Sequence, residues 1–128
     1  MGAGAHTDYG VVTLLFQDHV GGLQLKNGAS WIDVPPIEGT ANMNTGDLMM
    51  HWSNGRYPST CHRVLPLIGN IDRYSIAFFT DPDGDTEVDC LPSCVSEGNP
   101  KKYAAVTAGE HIQRKIDRSQ SPKVGDFL

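Results

Sequence analysis

His6-Thr7-Asp8-Tyr9-Gly10-Val11-Val12-Thr13-Leu14-Leu15-Phe16-Gln17-Asp18 is the stretch whose reading decides the fold. Val11 to Gln17 is a continuous β-branched and apolar run, which predicts a strand buried on both faces, and Gly21-Gly22 breaks it. Leu23-Gln24-Leu25-Lys26 alternates apolar and polar residues before Asn27-Gly28, a strong hairpin signal, and Trp31 to Val34 supplies the return strand. Pro35-Pro36 cannot continue a ladder. Met43 to Trp52 reads as two short strands around a turn at Thr45-Gly46-Asp47, and Ser53-Asn54-Gly55-Arg56 reads as another tight turn. Further strands are expected from Ser59 to Leu65 and from Tyr74 to Thr80, the last ending at Asp81-Pro82-Asp83-Gly84. Short strands at regular intervals with such turns predict a mainly β sandwich, barrel or jelly roll. One helix is legible: Thr107 and Glu110 make a capping box, and Ala108, Ile112 and Ile116 fall on one helical face. The chain is expected to form one domain over residues 1–119, followed by a polar tail, 120–128.

Size and charge narrow the classes of function. A chain of 128 residues with a net charge of −5 holds one small domain, and a hydrophobic content of 39% is that of a globular protein. The acidic balance argues against a nucleic-acid partner, because Lys101-Lys102 is too short to form a basic surface. No apolar run approaches the ~20 residues of a membrane span. Met1-Gly2-Ala3-Gly4 lacks the regions of a signal peptide, and His6 stands where a myristoylation motif needs Ser or Thr. Cys61, Cys90 and Cys94 are odd in number and form no disulfide framework, so a reduced, cytoplasmic setting is expected. No second pair and no neighbouring histidine complete a zinc site around Cys90 and Cys94. The oligomeric state has no signal in the chain.

Two features carry chemistry. In an extended chain His6 and Asp8 project to one side and Thr7 to the other, and Arg73 and Ser75 likewise share a face. With His62 added, two imidazoles and one carboxylate leave half of an octahedral metal open, the arrangement that non-haem iron(II) uses for a bidentate cosubstrate and O2, with tetrahedral zinc as the rival. Arg73 offers a planar fork for a carboxylate, and the Ser75 hydroxyl adds a third donor. If the strand around His62 pairs near the strand Arg73 to Thr80, metal and anion anchor share one barrel interior.

At these residues the chain resembles the isopenicillin N synthase-like group of iron(II)/2-oxoglutarate-dependent oxygenases. The matching stretches are H-T-D-Y-G-V-V-T-L-L-F-Q-D at His6 to Asp18, G-G-L-Q at Gly21 to Gln24, W-I-D-V-P-P at Trp31 to Pro36 and N-T-G-D at Asn44 to Asp47. S-N-G-R-Y-P-S-T-C-H-R-V at Ser53 to Val64 and R-Y-S-I-A-F-F at Arg73 to Phe79 continue the likeness, as do Asn99-Pro100 and Val106 to Glu110. The resemblance implies a double-stranded β-helix (jelly-roll) core with one C-terminal helix, His6, Asp8 and His62 as iron ligands, and Arg73 with Ser75 on the far carboxylate of 2-oxoglutarate. It further implies Fe(II), O2 and 2-oxoglutarate as requirements, with a small organic molecule hydroxylated, desaturated or cyclised as succinate and CO2 are released. Members of this group carry a long region of helices and early strands ahead of their His-x-Asp, so the core is expected to be incomplete at its N-terminus. His19 and His51 match no ligand position and are expected to be ordinary strand or loop residues, and His111 a surface histidine. Two other functions use the same motif: an oxidase of the isopenicillin N synthase kind, with a substrate carboxylate on Arg73 and Ser75, and a non-catalytic fragment or binding module.

Overall fold

The computed structural model describes residues 2–66, 69 and 71–120. Among the described residues nine strands and two α-helices follow one another as β1 (Ala3–His6), β2 (Val12–Gln17), β3 (Leu23–Asn27), β4 (Ser30–Asp33), β5 (Asn42–Thr45), α1 (Asp47–Trp52), β6 (His62–Val64), β7 (Ser75–Thr80), β8 (Glu87–Val88), β9 (Val106–Thr107) and α2 (Ala108–Gln120). One antiparallel sheet has the order β1-β6-β3-β4 and a second has β5-β2-β7, while β8 and β9 form a small ribbon. This is the mainly β, two-sheet architecture expected. The β3-β4 hairpin turns at the anticipated place, with Asn27 opposite Ser30 and Gly28 at φ +58°, a left-handed position that glycine adopts without steric cost.

Three expectations are corrected. Asp47 to Trp52 is a helix, not a second short strand. Its residues after the acidic first position are mostly unbranched helix formers, and Leu48 and Trp52, four apart, both turn into a cluster with Val88, Ala108, Val11, Val106 and Ile112. The helix is seeded by the turn before it, where the N–H groups of Gly46, Asp47 and Leu48 donate to the carbonyls of Val11, Asp8 and Gly10. The strand bearing His62 does not neighbour the strand after Arg73: β6 lies between β1 and β3, and β7 pairs with β2 in the other sheet. β2, although central in its sheet, is not buried on both faces. Thr13 is 5% exposed on the inner face, whereas Phe16, Ile76 and Phe78 on the outer face are 48%, 71% and 58% exposed.

The C-terminal helix forms where the capping box placed it, with the Glu110 N–H donating to the Thr107 hydroxyl at 3.3 Å, and it runs to Gln120, one residue into the expected tail. The rest of that tail, 121–128, lies outside the described residues. Asn54, wholly buried at the Ser53 to Arg56 turn with φ +50°, fastens the segment before α2. Its amide donates to the carbonyls of Cys94, Asn99 and Pro100, and its oxygen accepts the Lys102 N–H.

Candidate metal centre

β1 and β6 run antiparallel with His6 directly opposite His62, so both imidazoles leave one face of the sheet and their ring centroids lie 4.4 Å apart. Each ring is fixed at Nδ1, His6 against the Gly4 carbonyl at 2.7 Å and His62 against the Thr60 carbonyl at 3.0 Å. A carbonyl only accepts, so Nδ1 carries a proton in both rings, and Nε2 is the atom a neutral imidazole would offer to a metal. Those two Nε2 atoms stand 3.7 and 3.6 Å from Asp8 Oδ1. Asp8 is 6% exposed, and its other oxygen accepts from the Thr13 hydroxyl at 2.6 Å and the Asn44 amide at 2.7 Å. Oδ1 therefore faces both Nε2 atoms. One ligand atom from each of the three side chains lies within 4.8 Å of the others, and among the described residues this is the one group of three or more histidine, cysteine, aspartate or glutamate side chains so gathered. Three convergent ligand atoms suit a cation, with the carbonyls that fix each Nδ1–H and the Thr13 and Asn44 donors on Oδ2 as the outer partners that orient metal ligands.

The triad lines a cavity of about 230 Å³ between the two sheets, together with Leu15, Leu23, Leu25, Val64 and Ala77, and Arg73 and Ser75 are not among its walls. Thus β6 and β7 do share one interior, but by facing across it and not by pairing. Thr13, Leu15 and Gln17 of β2 stand opposite Phe79, Ala77 and Ser75 of β7, so all six project from the inner face. Arg73 lies at the Gln17 end. Its guanidinium donates to the Ser75 hydroxyl at 2.9 Å, to Gln17 Oε1 at 3.3 Å and, through Nε, to the Gly21 carbonyl. A second cavity, about 380 Å³, reaches His6 and Asp8 from the other side and is walled by Tyr9, Phe79, Ile112 and Ile116.

The remaining histidines differ in standing. His19 is an exposed loop residue, as expected. His51 is in α1, where its ring stacks on Tyr103 at 4.6 Å and its Nδ1 is buried without a partner. His111, expected at the surface, is 13% exposed and points inward with Nε2 3.6 Å from the Asp47 carboxylate. The reason is that α2 presents this face to α1, and a surface reading holds only for a helix whose neighbour is unknown. All three cysteines are free thiols, with Cys90 and Cys94 buried, as the sequence implied. Thr13 and Asn44, the partners of Asp8, were not anticipated. A lone hydroxyl inside the apolar run Val11 to Phe16 was the available signal for the first, since a buried hydroxyl needs a partner.

Comparison with known proteins agrees with this geometry. The model of the 2OG-Fe(II) oxygenase superfamily matches residues 1–82. A 2-oxoglutarate-Fe(II) type oxidoreductase of Emericella nidulans is 45% identical over 92% of this chain, which spans 34% of that protein's length. Among solved structures, Neurospora crassa T7H in complex with alpha-KG and thymine superposes with a TM-score of 0.82 at 39% identity, covering 91% of this chain and 37% of that one. A dioxygenase for auxin oxidation from rice gives 0.82 at 30% identity, over 91% of this chain and 40% of that one. The chain thus corresponds to about a third of its relatives' length, and it belongs to the 2OG-Fe(II) oxygenase superfamily.

Proposed function

We propose that this chain is the metal- and cosubstrate-binding part of a non-haem iron(II)- and 2-oxoglutarate-dependent dioxygenase of the isopenicillin N synthase-like group, one that oxidises a small organic molecule by hydroxylation, desaturation or ring closure. The observation that carries the reading is the inner face of β2, which has the Asp8 partner Thr13 at one end and the Arg73 partner Gln17 at the other. His6, Asp8 and His62 would hold Fe(II), for which two imidazoles and a carboxylate are a suitable donor set. Fe(II), when bound, supplies the O2 activation that couples loss of CO2 from 2-oxoglutarate, leaving succinate, to oxidation of the second substrate. The rest is the protein's share. Arg73 is already aimed by Gly21 and Gln17, so it offers an oriented fork to the distal carboxylate of the oxo acid, and the Ser75 hydroxyl turns from the guanidinium to that carboxylate. Thr13 lies four residues from Gln17, about 13 Å along the strand, and the inward side chains at both ends shorten that span. Leu15, Leu23 and Leu25 give the cavity beside the metal ligands an apolar wall. The second cavity, reaching the same ligands from the side of Phe79 and Ile112, receives the small-molecule substrate.

The chain is proposed to work in a reducing, cytoplasmic compartment, which its three free thiols suit, with no nucleic acid or membrane as partner. Among the described residues no helix is long and apolar enough to cross a membrane. The test is succinate formation from 2-oxoglutarate with Fe(II) under O2. Its loss in His62→Ala and Asp8→Ala, together with loss of Fe(II) binding, is the expected result. Unchanged iron affinity in those variants overturns the metal centre, and turnover that needs no oxo acid replaces this reading with the oxidase one.

A further inference from the structure

Behind Asp8 lies an ion pair between a buried carboxylate and a half-buried ammonium that the reading above does not use. Asp47, 3% exposed, opens α1. Its carboxylate takes the Lys115 ammonium of α2 at 2.6 Å and the Thr7 hydroxyl at 3.5 Å, with His111 Nε2 at 3.6 Å. Its own backbone N–H donates to the Asp8 carbonyl at 2.9 Å, and the Ser59 hydroxyl reaches that same carbonyl at 3.5 Å. The Lys115 ammonium also lies 5.8 Å over the ring of Tyr9. Helix α2 therefore reaches the residues on both sides of Asp8: Thr7 through the shared Asp47 carboxylate, and Tyr9 directly.

Stability alone gives a poor account of this pair. Buried ion pairs contribute little net stability relative to apolar side chains of the same volume, whereas removing one partner leaves an uncompensated buried charge. What the pair supplies here is a fixed position. With Lys115 in place the Asp47 carboxylate can stay inside, and the first turn of α1 keeps its N–H on Asp8. Without the ammonium the buried carboxylate keeps only the longer contacts to Thr7 and His111, and the grip of the first turn of α1 on Asp8 is loosened.

We propose that Lys115 is a positioning residue of the metal centre: by holding Asp47 inside, it makes the docking of α2 set the orientation of the Asp8 carboxylate. The inference rests on the metal centre proposed above. The experiment is an anaerobic titration of the purified protein with Co(II), read by the visible absorption of the bound ion and by affinity, alongside thermal unfolding of the metal-free protein. Lys115→Met should weaken Co(II) binding roughly tenfold, the lower end for outer partners of metal ligands, and shift the absorption of the bound ion. Lys115→Arg should recover most of both. Val106→Ala, which loosens the same cluster without touching Asp47, should lower the melting temperature while leaving affinity within about twofold, a spread below that of lost outer-shell partners. Unchanged affinity and absorption in Lys115→Met overturn the inference, as does an arginine variant that loses as much, or a Val106→Ala loss of affinity equal to that of Lys115→Met. A parent protein that does not bind Co(II) removes the metal centre and this inference together. A parent whose binding is abolished by Asp8→Ala but untouched by Lys115→Met removes this inference alone.

Discussion

Thr13→Val isolates a single hydrogen bond beside the proposed iron. Valine matches threonine in shape and keeps a strand preference, so the substitution removes the hydroxyl and little else. Thr13 is 5% exposed and donates to Asp8 Oδ2 at 2.6 Å, a short bond to a carboxylate in a dry setting. Bonds of that kind contribute about 1.5–3 kcal/mol. Asp8 keeps the Asn44 amide at 2.7 Å on the same oxygen, so the lower end applies, about 1.5 kcal/mol, which is roughly tenfold in affinity. Removing Asn44 as well, in Thr13→Val/Asn44→Ala, strips Oδ2 of both these partners and frees the carboxylate to rotate, and the loss should reach about a hundredfold, the product of two such steps. The assay is an anaerobic competition titration of Fe(II) against a chelator, with circular dichroism to establish that the sheets are intact. An affinity within about twofold of the parent in a folded Thr13→Val protein would refute the assignment of Thr13 as the group that aims Asp8.

Arg73→Ala should weaken 2-oxoglutarate by roughly ten- to hundredfold, with Arg73→Lys recovering part and Ser75→Ala costing about 1 kcal/mol, read from the concentration dependence of succinate formation. Asn54→Ala loses a left-handed position and four main-chain partners, and should cost about 3 kcal/mol or more in chemical denaturation, with Asn54→Gly relieving only the backbone part. Burial pushes the pKa of His51 below its ordinary 6.5, and nearby His111 and Lys115 push the same way against Asp47. The unfolded chain therefore takes up this proton first, so stability should decline as the pH falls through 6.5, and melting curves on either side of that value should show a shallower decline for His51→Asn. Burial pushes Asp47 up, but His111, Lys115 and Ser59 outweigh it and hold the group well below the ordinary 3.8. Its contribution is present above that value and lost as the pH falls beneath it, so Asp47→Asn should blunt the steep acid limb.

Features that depend on a few neighbouring residues were legible in the sequence. Asn27-Gly28 specified its hairpin, Thr107 with Glu110 specified the start of α2, and the two-residue spacing of His6 and Asp8 put both side chains toward one point. Features that depend on which elements meet were not. Asp47 to Trp52 is too short for periodicity to separate strand from helix, and the decision was made by the carbonyls of Asp8, Gly10 and Val11, some forty residues earlier in the chain (roughly, a span no local window covers). The sheet partner of β7 is β2 and not β6, a choice made by register and burial across the whole core. The inward turn of His111 likewise follows from α1 lying against α2. The open outer face of β2 and β7 has the apolar composition of a covered one, and composition was all that the sequence displayed.

On the function proposed here, β2 is also a gauge with coarse divisions. Its metal end and its arginine end are read from the same face, and side chains return to that face only every second residue. Lengthening the interval by one residue would turn Gln17 and its partner outward, and lengthening it by two would add about 6.8 Å, far more than one methylene spans. No small edit of the strand accommodates an oxo acid one methylene longer or shorter. Apart from Phe79, the walls of the second cavity that come from Tyr9 and from Ile112 and Ile116 of α2 are bound by no such increment and can change one side chain at a time. Variation within this architecture should accordingly collect in what is oxidised, while the length of the acid consumed in doing so stays constant.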